Sequence, residues 1–151
     1  MNGRRYRWLG LALLLVAAAF AHRDRIAFEL GYAYAHGDFH GWALARDDEH
    51  AARWLRVAAE AGHARAQYML GMRYSRGWGV RQDDAAAERW LNLSAGQGYA
   101  QACYHLAWMY HKGDGVARDE ARAQALMARA AALGMADAIA ALERFRREAA
   151  K

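Results

Sequence analysis

Gly62-His63-Ala64-Arg65-Ala66 returns as Gly98-Tyr99-Ala100-Gln101-Ala102 and again as Gly134-Met135-Ala136-Asp137-Ala138, each step being 36 residues. Leu70 recurs as Leu106 and Leu142, and Tyr74 recurs as Tyr110. Gly77-Trp78-Gly79-Val80 recurs as Gly113-Asp114-Gly115-Val116, and Asp83-Asp84 recurs as Asp119-Glu120. A fixed period of this length is the signature of stacked helical units. Within one unit, Ala66, Leu70 and Tyr74 stand at i, i+4, i+8, one face of a helix. Gly71 is small where a neighbouring helix must come close, and Gly77 and Gly79 end the helix. Asp83 is placed to cap a second helix, in which Ala87, Trp90, Leu91 and Ser94 share a face before Gly96 and Gly98 end it. One such hairpin cannot bury its apolar side alone, so the units must stack.

The pattern Ala64-x-Ala66-x-x-x-Leu70-Gly71-x-x-Tyr74-x-x-Gly77-x-Gly79-Val80-x-x-Asp83, followed by Ala87-x-x-Trp90 and Ala95-x-x-Gly98, resembles the Sel1-like repeat, a relative of the tetratricopeptide repeat. Residues 64–99 match nearly throughout; residues 100–135 carry Ala107 in place of the glycine and Leu126 in place of the tryptophan. A first repeat, about 26–61, matches through Leu30-Gly31-x-x-Tyr34 and through Ala51, Trp54, Ala58-Ala59 and Gly62. It carries a four-residue insertion in the loop Gly37–Leu44, which adds Phe39, Trp42 and a histidine. Insertions in repeats map to surface loops, often on the binding face. The last element, 136–149, repeats only the first helix and is polar through Arg144, Arg146 and Arg147, as a terminal cap should be. The expected fold is all-α: an α/α solenoid of about three helix hairpins and a C-terminal cap helix.

Arg4, Arg5 and Arg7 precede 14 uncharged residues, Trp8 to Ala21, and Ala19-Phe20-Ala21 fits a small-x-small cleavage site. This run is short for a permanent span. The expectation is therefore a signal peptide over residues 1–21 and a repeat domain over 22–151, in the bacterial periplasm. An uncleaved inner-membrane anchor facing the periplasm is the alternative. No cysteine follows the apolar run, which argues against a lipoprotein. Without residues 1–21 the chain keeps 18 basic and 16 acidic residues, so the formal charge drops from +5 to +2. The strong basic field that nucleic-acid binding requires is then missing.

Catalytic constellations fail on inspection. Gly77-x-Gly79 and Gly113-x-Gly115 lack the strand, third glycine and lysine of a phosphate loop. The acid pairs Asp47-Asp48, Asp83-Asp84 and Asp119-Glu120 recur at helix starts, where capping and the helix dipole favour them. No serine, threonine or cysteine stands in a nucleophile motif. Cys103 is the sole cysteine, which separates the chain from the Sel1-like branch with a cysteine pair per repeat and an attributed β-lactamase activity. His36 and His40 have helical ligand spacing, but Gly37 lies between them and no second pair supports them, so no metal and no cofactor is expected.

A surface is the better candidate. On a helical wheel Arg65, Tyr68 and Met72 lie opposite the Ala66, Leu70 and Tyr74 face. The same positions hold Arg25, Phe28 and Tyr32 in the first repeat and Gln101, Tyr104 and Trp108 in the third. In the cap helix they become Asp137, Ala140 and Arg144, and the aromatic row stops. Such a row is either a protein-binding groove or packing between helices, whereas Trp54 and Trp90 are expected in the core. The resemblance implies that first helices line a concave side. It further implies a non-enzymatic scaffold or adaptor for a protein or peptide, or alternatively an immunity protein capping a toxic effector. An envelope hydrolase or β-lactamase-like enzyme is the remaining, weaker alternative.

Overall fold

The computed structural model describes residues 22–39, 42–43 and 45–149, with only the backbone of Phe39, Trp42, Ala43, Arg146, Glu148 and Ala149. The segment 1–21 assigned to a signal peptide, and His40 of the histidine pair, lie outside the described residues. Seven helices follow in order among the described residues: α1 (Arg23–His36), α2 (Asp48–Glu60), α3 (Ala64–Arg76), α4 (Asp84–Gly96), α5 (Ala100–Lys112), α6 (Glu120–Ala132) and α7 (Ala136–Ala149). Each packs on the helix before and after it, giving three hairpins in a row and a terminal helix. Two short strands lie within the inserted loop, which the sequence did not mark. Asp38–Phe39 (β1) pairs antiparallel with Trp42–Ala43 (β2), a two-residue hairpin beside α1. No helix among the described residues is long and apolar enough to cross a membrane.

The acid pairs divide their work. Asp47, Asp83 and Asp119 cap α2, α4 and α6, accepting from the backbone N–H of His50, Ala86 and Arg122 at 2.9, 2.8 and 3.0 Å. In two of the pairs the second acid bonds to another element: Asp48 forms a 3.1 Å ion pair with Arg73, and Glu120 stands 3.0 Å from His111 Nδ1. Gly37, Gly77 and Gly113 end α1, α3 and α5 in the left-handed conformation.

The core is made of small residues around one leucine in each of α2 to α5, with Leu55, Leu70, Leu91 and Leu106 fully buried. Gly71 makes this possible. A Cβ there would stand 2.8 Å from Leu91 Cγ, and one at Gly31 would stand 2.8 Å from Leu55 Cγ. In the third repeat Ala107 has that Cβ, and the position of Leu91 is held by Met127, an unbranched chain that can yield; both are fully buried. Gln67 is buried and donates to the Ala59 carbonyl at 3.0 Å. Cys103 occupies the same place one repeat later, 4.0 Å from the Ala95 carbonyl. Burial pushes its thiol pKa up, so it stays protonated and serves as packing.

Two core expectations need correction. Trp54 is 37 % exposed, and Trp90 is half-buried. Trp90 packs on a cluster supplied by α1, α2 and α3, which precede it in the stack. Trp54 sits in the first described hairpin and has no described repeat before it to cover the ring. At the other end, Phe145 is fully buried although the repeat register does not mark it. With Ala138 and Ala141 it forms the buried stripe of α7, while Leu142, the position that matches Leu70 and Leu106, is only half-buried.

Candidate functional site

The aromatic row lies where the first helices α1, α3, α5 and α7 meet. Phe28 is 6 % exposed, so it is core. Its ring stacks on His63 with centroids 4.4 Å apart, and the Arg65 guanidinium sits 5.3 Å from the Phe28 ring and 5.1 Å from the Tyr32 ring. In α3, half-buried Tyr68 leans on Tyr99 at 5.2 Å and His105 at 5.6 Å. In α5, Tyr104 and Trp108 meet edge-on at 6.3 Å, and Trp108 meets Phe145 of α7 edge-on at 5.0 Å. The row therefore does not stop at α5; Phe145, which also stacks on His111 at 4.2 Å, closes it one residue out of register. Gln101 and Arg65 are exposed at its margin, and the side chains of Phe39 and Trp42 lie outside the described residues.

The half-buried members keep one side open. A hollow of about 660 Å³ between α3 and α5 is lined by Met72, Arg76, Tyr104, His105, Trp108 and Lys112, and by the acids Asp84 and Asp114. A second, of about 320 Å³, is lined by Tyr68, Met69, Met72 and Arg76 together with His36, Arg46, Arg73 and Trp78. Met72 and Arg76 belong to both, so the two hollows adjoin. Tyr68, Met72, Tyr104 and Trp108 thus share one surface; Phe28 and Tyr32 line neither hollow.

The sequence reading missed the cations of this surface. Continuing each row by one more turn gives Phe28-Tyr32-His36, Tyr68-Met72-Arg76 and Tyr104-Trp108-Lys112, each ending on a basic residue at i+8. The Arg76 guanidinium lies 4.5 Å from the Trp78 ring, and the Lys112 ammonium 5.5 Å from the Trp108 ring.

His105, between Tyr68 and Tyr104, has its pKa held below the usual 6.5 by burial first and by the Arg76 charge second. The unfolded chain therefore binds more protons than the folded one just below pH 6.5. Stability rises with pH in that window and falls as the pH is lowered through it. Thermal melts over about pH 7 to 5 should show a steeper loss for the wild type than for His105→Gln. Parallel slopes would show that His105 is not held neutral by the fold.

No group of three or more metal-ligating side chains gathers among the described residues. Gly37 ends α1 directly after His36 with φ +78°, and the His36 ring stacks on Tyr32 with its Nδ1 2.9 Å from the Tyr32 carbonyl.

A row of helix hairpins with a polar terminal helix and an aromatic first-helix face is an α/α repeat solenoid. The Sel1 repeat model matches residues 27–63, 64–99 and 100–135, and the chain belongs to that family. Members of this family generally serve as non-catalytic protein-interaction scaffolds. Among solved structures, a Sel1 repeat protein from Oxalobacter formigenes is 37 % identical, with a TM-score of 0.73 over 88 % of this chain and 97 % of that one. A protective antigen of uropathogenic Escherichia coli with the same repeat fold is 38 % identical, with a TM-score of 0.69 over 80 % of this chain but 25 % of its own. Cysteine-rich protein B of Helicobacter pylori, 22 % identical with a TM-score of 0.65, shares the fold over 83 % of this chain and 93 % of its own. No curated protein matches the sequence.

Proposed function

We propose that this chain is an exported, non-enzymatic adaptor that takes a protein partner on the face of its first helices. The observation that carries this reading is the pair of adjoining hollows under Tyr68, Met72, Tyr104 and Trp108. Side chains of this kind, half-buried and rimmed by polar groups, supply most of the binding energy of protein interfaces. Export rests on the basic and apolar pattern of residues 1–21, and the periplasm is the compartment it suggests.

The test is capture of partners from an envelope fraction by the wild type and by Tyr68→Ala/Tyr104→Ala/Trp108→Ala. Hot-spot aromatics each contribute on the order of 2 kcal/mol, so the triple variant should lose at least about 100-fold in affinity. Circular dichroism checks that it folds. A folded variant that binds like the wild type sinks the proposal. Where capture is lost, the partner's identity and the stoichiometry separate a scaffold from an inhibitor of an effector. Fractionation of cells expressing the full chain tests export: recovery in the cytoplasm would overturn it.

A further inference from the structure

The smaller hollow has a property the aromatic row does not account for. Arg46, Arg73 and Arg76 line it with His36, and no carboxylate does. Arg73 is held inside the fold, its side chain 6 % exposed. Its Nη1 alone makes the bonds, donating to the Asp48 carbonyl at 3.2 Å, to Asp48 Oδ1 at 3.1 Å and to the Trp78 carbonyl at 3.2 Å. Nε and Nη2 of Arg73 have no hydrogen-bond partner among the described residues, and no fully buried side-chain nitrogen goes unpaired. Those donors therefore retain some access to solvent, and Arg73 is one of the residues that line the hollow.

Asp48 neutralises Arg73 and lies 3.7 Å from Arg46 on the exposed side. Arg76 has no acidic partner among the described residues and lies against Trp78. The third repeat has no copy of this arrangement. Met109 stands where Arg73 does, and Asp84 and Asp114 line its hollow together with Arg76 and Lys112. The charge is thus confined to one place on the face. The negative ends of α1 and α3 point the same way and offset part of it. Three guanidinium groups against the one carboxylate bonded to them leave net positive charge beside Tyr68, Met69, Met72 and Trp78.

We propose that this hollow between α1 and α3 binds a carboxylate of an acidic peptide segment in the partner protein, with an adjacent apolar side chain on Tyr68 and Trp78. This rests on the reading of the first-helix face as a docking surface. Arginine donors already fixed by the fold are suited to a carboxylate because little order is lost on binding. A volume of about 320 Å³ accommodates one or two side chains rather than a large cofactor.

The test uses the full chain and three N-acetylated peptides in isothermal titration. One alternates glutamate and leucine and is C-amidated. The second has glutamine for glutamate and is C-amidated. The third is the glutamine peptide with a free terminal carboxylate. We expect the first or the third to bind about 10-fold or more tightly than the second. Which of them does so tells a side-chain carboxylate from a chain terminus. Arg46→Gln and Arg76→Gln, both at exposed positions, should each reduce that preference about 10-fold. Equal binding of all three peptides overturns the proposal, as does a preference that survives both substitutions. Competition by equimolar inorganic phosphate also overturns it, since the hollow would then be a general anion site. Tyr104→Ala/Trp108→Ala separates the two readings. If partner capture falls while the acidic-peptide preference is absent in the wild type, the groove stands and the carboxylate site fails. If the preference is present while capture survives the aromatic substitutions, the groove reading fails alone.

Discussion

Gly79→Ala is expected to lower stability by about 3 kcal/mol or more, or roughly 10 °C in melting temperature. Two effects coincide at this glycine. Its φ is +68°, a conformation that costs an alanine about 1 kcal/mol. The larger effect is steric, because an added Cβ would fall 1.9 Å from the Asp48 carbonyl oxygen and 2.2 Å from its carbon. Those are backbone atoms at the start of α2, so no side chain can swing aside. Gly62→Ala is the matched control, with φ +93° and nothing within 4 Å of the new Cβ. It should lose only the conformational part, about 1 kcal/mol. Denaturant melts of both variants give the comparison. Equal losses would mean that the loop does not press on the preceding repeat.

Phe145→Ala is expected to destabilise by about 3–5 kcal/mol, the range for truncating a buried aromatic ring. Phe145 is the largest fully buried side chain among the described residues, and it holds α7 to the stack through Trp108 and His111. In a repeat array neighbours stabilise one another, so the loss should start at the end and spread inward. Amide exchange in α7 should accelerate first, with Trp108 fluorescence shifting as its ring is uncovered. Phe145→Leu, which keeps most of the volume, should lose clearly less. A loss below about 1 kcal/mol for Phe145→Ala would show that α7 is held by something else.

These two positions show how far sequence carries the fold. Gly79 announced itself by recurring as Gly115, and its role as a helix stop followed from glycine's freedom at positive φ. Its close approach to Asp48 did not, because that residue belongs to the preceding unit, 31 positions earlier. Phe145 gave no signal in the 36-residue register. In α7, the last described helix, the residue turned into the core stands one place off the Tyr74/Tyr110 register, beside Ala138 and Ala141. Trp54 failed in the opposite sense: its consensus place promised burial, but no described repeat stands in front of it to cover that ring.

The candidate surface divides in the same way. Helical spacing put Tyr68 with Met72 and Tyr104 with Trp108, since a 3.6-residue turn needs only local sequence. Whether each ring packs or faces solvent depended on what the neighbouring first helix offered. Phe28 was covered by His63 and Arg65, while Tyr68, Met72, Tyr104 and Trp108 kept an edge on the hollows. The gathering of Arg46, Arg73 and Arg76 was invisible in the chain, because Arg46 comes from a loop 27 positions before the Arg73–Arg76 turn of α3. By itself the sequence determined the repeat, its period, its caps and its hairpins, all set by short-range periodicity and backbone conformation. Only the tertiary structure decided which side chains of the first helices close against a neighbour and which charges meet, because both depend on contacts between units far apart in the chain.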